Sequence, residues 1–163
     1  MYIVVLAAIT KEMKNLIIIL TFILTTNCSE KTQITNLTYE SDIDKINISE
    51  GTLTRRFING EKTIDFSLDK ENLREFLNYL IKSKIETIEK KDLDKECEQI
   101  ITPTFSSRLE ITFDNGKIAE IHWTSNNCGE RINDLNEIVE QLYSIIEKDK
   151  SVGQLEQTDI IFE

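Results

Sequence analysis

The sequence predicts an α+β fold in which two β-hairpins form an antiparallel sheet and two helices pack on one face of it, in the order β-ββ-α-ββ-α. Two observations support this prediction. Turn signals at Asn59-Gly60 and Asp114-Asn115-Gly116 each separate two runs in which apolar and polar residues alternate, the pattern of a hairpin. After each hairpin, apolar residues recur at helical spacing, beginning at Leu73 and at Leu135.

The composition is that of one acidic globular domain. The chain has 163 residues, of which 40% are hydrophobic and 29% charged, a balance that excludes a disordered or fibrous protein. The formal net charge of −10 argues against nucleic acid as a partner, since phosphate binding needs clustered Lys and Arg. The sequence contains no GxSxG, HExxH or Gly-rich phosphate loop, so we expect no cofactor and no catalytic activity.

The first 28 residues have the organisation of an export signal. Lys14 precedes the apolar run Leu16–Leu24, and polar residues follow Cys28; a charged start before a short apolar segment is typical of secretory signals. The run is shorter than the about 20 apolar residues that span a bilayer. We therefore predict a signal peptide at residues 1–27, with Met13 as an alternative start and a membrane-retained N-terminal anchor as the competing interpretation.

The segment Leu24-Thr25-Thr26-Asn27-Cys28 resembles the end of the signal in bacterial lipoprotein precursors. In that family a cysteine just after the apolar segment is lipidated on sulfur and becomes the new N-terminus. The resemblance covers Met13 to about Glu30; Thr25 and Asn27 stand where the family usually has Leu and a small residue. It implies a lipid anchor on Cys28 and a location in the cell envelope, with a soluble secreted or periplasmic protein as the alternative.

The rest of the chain is interpreted as a tether followed by one domain. Residues 28–41 are polar, which favours a tether, although Ile34 to Tyr39 carries a weaker strand signal. Residues 42–163 form the predicted domain. Its first strand is expected at Lys45 to Ser49, where Ile46 and Ile48 alternate with polar residues. Its apolar end, Ile160-Ile161-Phe162, is expected to add an edge strand or to dock on the surface.

The first hairpin is predicted from residues 52–58 and 61–68. With Asn59-Gly60 as a two-residue turn, in which both residues take a positive φ, Leu53 lies opposite Phe66. The second hairpin spans residues 108–124.

The register of the second hairpin depends on the length of its turn. A two-residue turn at Asn115-Gly116 mixes polar and apolar side chains on each face, whereas a three-residue turn with Gly116 in a left-handed conformation separates them. We predict the three-residue turn. One face then carries Leu109, Ile111, Phe113, Ala119, Ile121 and Trp123, and the other Arg108, Glu110, Thr112, Ile118, Glu120 and His122.

Both predicted helices begin at an aspartate. Asp69 is the expected N-cap of the first helix, and Asp134, with Glu137 three residues later, that of a second helix over Leu135–Lys148. The residues between helix 1 and hairpin 2 are Lys- and Glu-rich and predict a surface connection, with a short strand or helical turn near Ile85 to Ile88. The buried stripe of helix 1 is Leu73, Phe76, Leu77, Leu80 and Ile81, and that of helix 2 is Leu135, Ile138, Val139, Leu142, Ile145 and Ile146.

The cysteines predict one disulfide. If Cys28 is lipidated, Cys97 and Cys128 remain, and an exported protein meets oxidising conditions. We therefore predict a Cys97–Cys128 bridge, with two buried thiols as the alternative. No metal site is predicted, because the spacing is not CxxC and the chain has one histidine.

The remaining candidates for chemistry are polar side chains of the strands. His122 is paired with Glu110 or Glu120 in a catalytic interpretation and is a partly exposed sheet residue in the favoured one. Trp123 is predicted to be core. Arg55, Arg56 and Arg108 bind an anion only if they converge, and scattered ion pairs are the simpler expectation.

Three hypotheses about function follow. The first is a small, exported, lipid-anchored binding or interaction protein without catalytic activity, which presents its sheet face or acidic loops to a protein partner. The second is an inhibitor or immunity-type protein that neutralises a basic partner enzyme, which the negative charge favours. The third is an enzyme that uses His122 with Glu110 or Glu120.

Overall fold

The computed structural model of the protein describes residues 33–89, 93 and 95–159. Within these residues the fold is α+β, as predicted. The predictions for Cys28 and for Ile160-Ile161-Phe162 lie outside the described residues. The elements in chain order are β1 (Ile34–Ser41), β2 (Asp44–Asn47), β3 (Thr52–Phe57), β4 (Gly60–Asp65), α1 (Lys70–Lys82), a 3₁₀ turn (Ile85–Thr87), β5 (Ser106–Phe113), β6 (Ile118–Thr124), α2 (Glu130–Ile146) and α3 (Lys150–Gly153).

The described strands form one antiparallel sheet in the order β4-β3-β2-β1-β5-β6. Strand β1 lies between β2 and β5, so the interpretation of residues 28–41 as a tether is wrong for Ile34–Ser41. The weaker strand signal was the correct one. It was faint because only Leu37 and Tyr39 of this strand are buried, while backbone hydrogen bonds to two neighbours hold its polar residues in place.

The first hairpin forms, but its register differs from the prediction by two residues. Leu53 pairs with Ile64 rather than Phe66, and Phe57 pairs with Gly60, so Ile58 and Asn59 form the turn. The reason is conformational: Gly60 has a φ of +135°, whereas Asn59 does not take the positive φ that the predicted turn requires. A shift of two residues leaves every side chain on its predicted face.

The second hairpin has the predicted register. Leu109 pairs with Ile121 and Ile111 with Ala119, and Phe113 N donates to Lys117 O at 2.9 Å around a three-residue turn. Gly116 has a φ of +79°, the left-handed conformation on which the predicted separation of faces depends.

The first helix begins as predicted and the second does not. Asp69 caps α1 by accepting hydrogen bonds from two backbone N–H groups. Helix α2 begins at Glu130, so the prediction of Asp134 as its N-cap is wrong; this residue lies within the helix and accepts from Arg131. The extra turn forms because Ile132 is buried and continues the apolar stripe toward the N-terminus.

The core lies between the sheet and the helices. Side chains from one face of the strands pack with those of α1 and α2 in a single cluster. Its fully buried members are Leu37, Ile46, Leu53, Leu80, Ile85, Leu109, Ile111, Leu135, Ile138, Leu142 and Ile146. The opposite face of the sheet carries mainly polar side chains, among them Thr54, Arg56, Arg108, Glu120 and His122.

Candidate interaction site

A disulfide closes one end of the domain. Cys97 and Cys128 are bonded, as predicted, with their Cα atoms 5.1 Å apart. Backbone hydrogen bonds lie on both sides of the bridge: Cys97 N donates to Asn126 O at 2.9 Å, and Cys128 N donates to Lys95 O at 2.7 Å. The bridge therefore fixes the connection before β5 to the turn that follows β6.

The side chain of Asn126 binds the segment that follows Cys97 in the sequence. Its Oδ1 accepts from Ile101 N at 2.6 Å. Its Nδ2 donates to Ile101 O at 3.2 Å and to Thr104 Oγ1 at 2.8 Å. Three hydrogen bonds from one side chain, together with the disulfide, fix the backbone of residues 97–105, which we name the Ile100 loop.

The C-terminal end of the Ile100 loop is joined to the sheet. Phe105 and Ser125 exchange hydrogen bonds of 2.9 and 3.0 Å. Ser106 N then donates to Asp42 Oδ2 at 2.7 Å, in the turn between β1 and β2. The loop is thus hydrogen-bonded to the ends of the sheet strands, and we expect its backbone to lose little further entropy on binding.

The Ile100 loop displays apolar side chains rather than burying them. Ile100 is 72% exposed and Ile101 is 49% exposed. Glu96 and Glu98, which precede them, are also exposed. Adjacent exposed isoleucines on a fixed backbone, with carboxylates beside them, have the chemistry of a small protein-binding surface.

The polar face of the sheet carries the predicted histidine site. His122 is 63% exposed, and its Nε2 lies 2.8 Å from Glu120 Oε1. Glu110 instead accepts from Arg108 Nη2 at 2.6 Å, so the structure brings His122 to only one of its two proposed partners. The hydrogen bond from His122 and the charge of Arg108 lower the pKa of Glu120.

Arg108 completes this polar cluster. Its Nε forms an ion pair with Glu120 Oε1 at 2.8 Å. The cluster lies on an open sheet face, and His122 lines neither of two surface pockets of about 680 and 430 Å³. The enzyme hypothesis therefore has a hydrogen-bonded His122–Glu120 pair but no concave site from these pockets to hold a substrate.

The larger pocket has a buried ion pair in its wall. Asp44 is 4% exposed and is bound by Arg55 through two hydrogen bonds of 2.8 Å. Tyr143 donates to Asp44 Oδ2 at 2.8 Å. Burial of Tyr143, and then the charge of Asp44, raise the pKa of its hydroxyl, which therefore keeps the proton that it donates to the carboxylate. Arg55 Nη1 also donates to Glu156 O at 3.1 Å, which ties the chain after α3 to the sheet.

The three arginines do not converge. Arg55 lies on the face that the helices cover, whereas Arg56 and Arg108 lie on the polar face. Arg56 pairs with Glu40 at 3.0 Å and with Glu61 at 3.3 Å. Each guanidinium already contacts a carboxylate, as the expectation of scattered ion pairs requires.

Trp123 is a core residue, as predicted. It is 5% exposed, its ring lies 6.3 Å from that of Tyr39, and its Nε1 donates to Asn136 Oδ1 at 3.3 Å. A buried and hydrogen-bonded indole contributes to packing rather than to ligand binding.

Comparison of the chain with protein-family models, curated proteins and solved structures finds no match. Among residues 33–89, 93 and 95–159, no helix is long and apolar enough to cross a bilayer. In the same residues, no group of three or more His, Cys, Asp and Glu side chains is arranged to hold a metal ion. The disulfide is a feature of proteins from oxidising compartments.

Sequence reasoning missed the Ile100 loop and the Asp44–Arg55 pair. The available signal for the loop was Ile100-Ile101 and Pro103, an apolar pair and a turn residue between two cysteines with no helical or strand period around them. For Asp44, the signal was its place one alternation before Ile46, on the buried side of β2.

Proposed function

We propose that the protein is an exported binding protein without catalytic activity, which is anchored through a lipid on Cys28 and presents the Ile100 loop to a protein partner. The observation that carries the binding proposal is the exposure of Ile100 and Ile101 on a backbone that the disulfide and Asn126 hold. The lipid anchor rests on the position of Cys28 directly after the apolar signal segment.

Apolar burial at the Ile100 loop favours binding because the loop is ordered in advance. Exposed apolar area contributes about 25 cal/mol per Å² when a partner covers it. A flexible loop would lose part of this gain to the cost of ordering its backbone and side chains. The hydrogen bonds of Asn126 to Ile101 and Thr104 already meet that cost in the free protein.

The surroundings of the loop define the chemistry of the partner. Glu96 and Glu98 precede the isoleucine pair, and the whole chain has a net charge of −10. A protein surface with an apolar pocket edged by Lys or Arg complements both features. Long-range attraction between the acidic domain and such a surface would raise the rate of association, and salt would lower it.

Photocrosslinking in the producing cell tests the binding proposal. A benzophenone amino acid is placed at Ile100 in one variant and at Ile58, an isoleucine that is 67% exposed in the β3–β4 turn, in a control. We expect a discrete adduct from position 100 and none from position 58. Equal adducts from both positions, or none from position 100, would contradict a binding site at the loop.

Affinity measurements with the partner identified by that adduct provide the quantitative test. The Ile100→Ser/Ile101→Ser variant should bind at least about tenfold more weakly, because truncation of a central apolar contact commonly costs more than 1 kcal/mol. Ile118→Ser removes an isoleucine of similar exposure, 59%, from edge strand β6 and should bind normally. Asn126→Ala keeps both isoleucines but removes the hydrogen bonds that hold the loop. Weaker binding by this variant would mean that the order of the loop contributes to the affinity.

The anchor has its own test. Intact mass of the mature protein from a bacterial envelope fraction should show an acylated N-terminus at Cys28, and Cys28→Ser should release the protein from the membrane fraction. An unmodified mature mass would overturn the anchor while leaving the crosslinking result to decide binding.

A second candidate function is inhibition of a basic enzyme. The same observations favour it, since a fixed apolar loop beside carboxylates suits insertion into a cleft with a basic rim. It predicts that the crosslinked partner is an enzyme whose activity the purified protein abolishes at a one-to-one ratio. If the partner enzyme keeps its full activity when it is saturated with the protein, inhibition is excluded and the proposed binding function is unaffected.

A further inference from the structure

The sheet has two ends with different neighbours. Gln33, the first described residue, lies at one end, where its carbonyl accepts from Asp114 N at 2.9 Å in the β5–β6 turn. We name this end the Gln33 end; it also holds the β2–β3 turn at residues 48–51. Strand β1 runs from there to Ser41, and the Ile100 loop lies at the opposite end, where Ser106 contacts Asp42.

The chain between Cys28 and Gln33 is short. Four residues, 29–32, separate them. The chain makes five Cα–Cα steps from Cys28 to Gln33. Fully extended, these steps span at most about 18 Å, at about 3.6 Å per residue. Whatever conformation these residues take, Gln33 cannot lie farther than this from the sulfur-bearing residue.

We infer that the membrane-anchored protein stands on its Gln33 end and holds the Ile100 loop away from the lipid surface. The inference rests on the proposed lipid anchor at Cys28. Strand β5 spans eight residues between the two ends, about 24 Å at about 3.4 Å per residue. The loop is therefore directed toward partners in the aqueous space beyond the headgroups rather than toward lipid.

Charge opposes the alternative in which the domain lies flat. The chain carries 29 Asp and Glu against 19 Lys and Arg. The two arginines of the polar sheet face are paired, Arg56 with Glu40 and Arg108 with Glu110. A membrane surface that contains anionic lipid repels such a domain and attracts only clustered free cations. The short tether holds one end near the surface, and repulsion keeps the rest of the domain from it.

Energy transfer to a membrane-bound acceptor tests the orientation with the full, acylated protein. A donor dye is attached through Lys117→Cys, at the Gln33 end, or through Asn59→Cys, in the β3–β4 turn at the loop end. Both positions are exposed. The protein is reconstituted in vesicles of phosphatidylglycerol and phosphatidylethanolamine that carry a rhodamine lipid. We expect clearly higher transfer from position 117 than from position 59.

A matched control isolates the role of the tether. Insertion of twelve Gly and Ser residues after Glu30 should leave the protein acylated and folded but reduce the difference between the two dyes. Equal transfer from both dyes without the insertion, or higher transfer from position 59, would overturn the orientation and leave the anchor intact. Failure of the protein to float with the vesicles, with an unacylated Cys28 by mass, would overturn the anchor and the orientation with it.

Discussion

Arg55 binds the carboxylate of Asp44 at two points: Nε donates to Oδ1 and Nη2 to Oδ2, each at 2.8 Å. The pair joins β2 to β3 on the face of the sheet that the helices cover, and Asp44 is almost fully buried there. Because a buried carboxylate loses its hydration, the guanidinium and the hydroxyl of Tyr143 replace the lost water. The stability of this corner of the domain therefore depends on the cation.

Arg55→Met should lower the free energy of unfolding by about 3–5 kcal/mol, since removal of one partner leaves a buried charge without compensation. Arg56→Met is the matched control in the adjacent position of β3. Its ion pairs with Glu40 and Glu61 are partly exposed, so its cost should stay below about 1 kcal/mol. Urea unfolding of both variants measures the difference, and equal losses would contradict the role assigned to Arg55.

Gly51→Ala should destabilise the protein by about 2–4 kcal/mol. Gly51 has a φ of +66°, and an added Cβ would lie 2.7 Å from the backbone oxygen of Phe66, so conformational strain and a clash with rigid backbone add. Gly116→Ala provides the comparison, because its φ is +79° but nothing lies within 4 Å of the added atom. It should cost only about 1–2 kcal/mol. Equal losses in thermal or urea unfolding would exclude the clash.

The sequence predicted those parts of the fold that depend on side-chain pattern. The register of β5 with β6 was determined by the demand that Leu109, Ile111 and Ile121 share a face, and the structure obeys it. Two features that depend on backbone geometry were not predicted. They are the conformation at Asn59 and the strand pairing that places polar β1 inside the sheet, between β2 and β5.

The sequence likewise predicted one part of the candidate site and not the other. Cys97 and Cys128 follow from counting cysteines, whereas the role of Asn126 arises from contacts 22 to 25 residues apart along the chain. No periodicity reports such a contact, because the partner groups are mostly backbone atoms. Exposed isoleucines are equally invisible to pattern, since an apolar side chain in a sequence is expected to be buried.

Loss of the disulfide should destabilise the domain and loosen the Ile100 loop. The two cysteines are 31 positions apart in the sequence, and closing a loop of this length stabilises by about 3–4 kcal/mol in the chain-entropy model. The Cys97→Ser/Cys128→Ser variant should lose this amount in urea unfolding. Hydrogen exchange of the Ile101 amide should accelerate more than that of the Leu109 amide in β5. Unchanged exchange at Ile101 would mean that Asn126 holds the loop alone.

Asp149 makes the stability of the domain depend on pH in the acidic range. Its Oδ2 accepts from Ser67 N at 3.0 Å and its Oδ1 from Ser151 N at 2.8 Å. These backbone hydrogen bonds, that of Ser67 first, lower the pKa of Asp149 below the ordinary value of 3.8. Because the unfolded chain binds the proton at higher pH than the folded one, the carboxylate stabilises the fold above the ordinary pKa.

That stabilisation should be lost as the pH falls through the lowered pKa of Asp149. Asp149→Asn should therefore unfold at lower urea concentration than the natural protein near neutral pH. The difference between the two urea midpoints should become smaller as the pH falls below 3.8. Asp114→Asn, at an exposed turn position, is the control for a general change of charge. If the difference in urea midpoint between Asp149→Asn and the natural protein stays constant through this range, the hydrogen bonds, and not the charge of the carboxylate, provide the stabilisation.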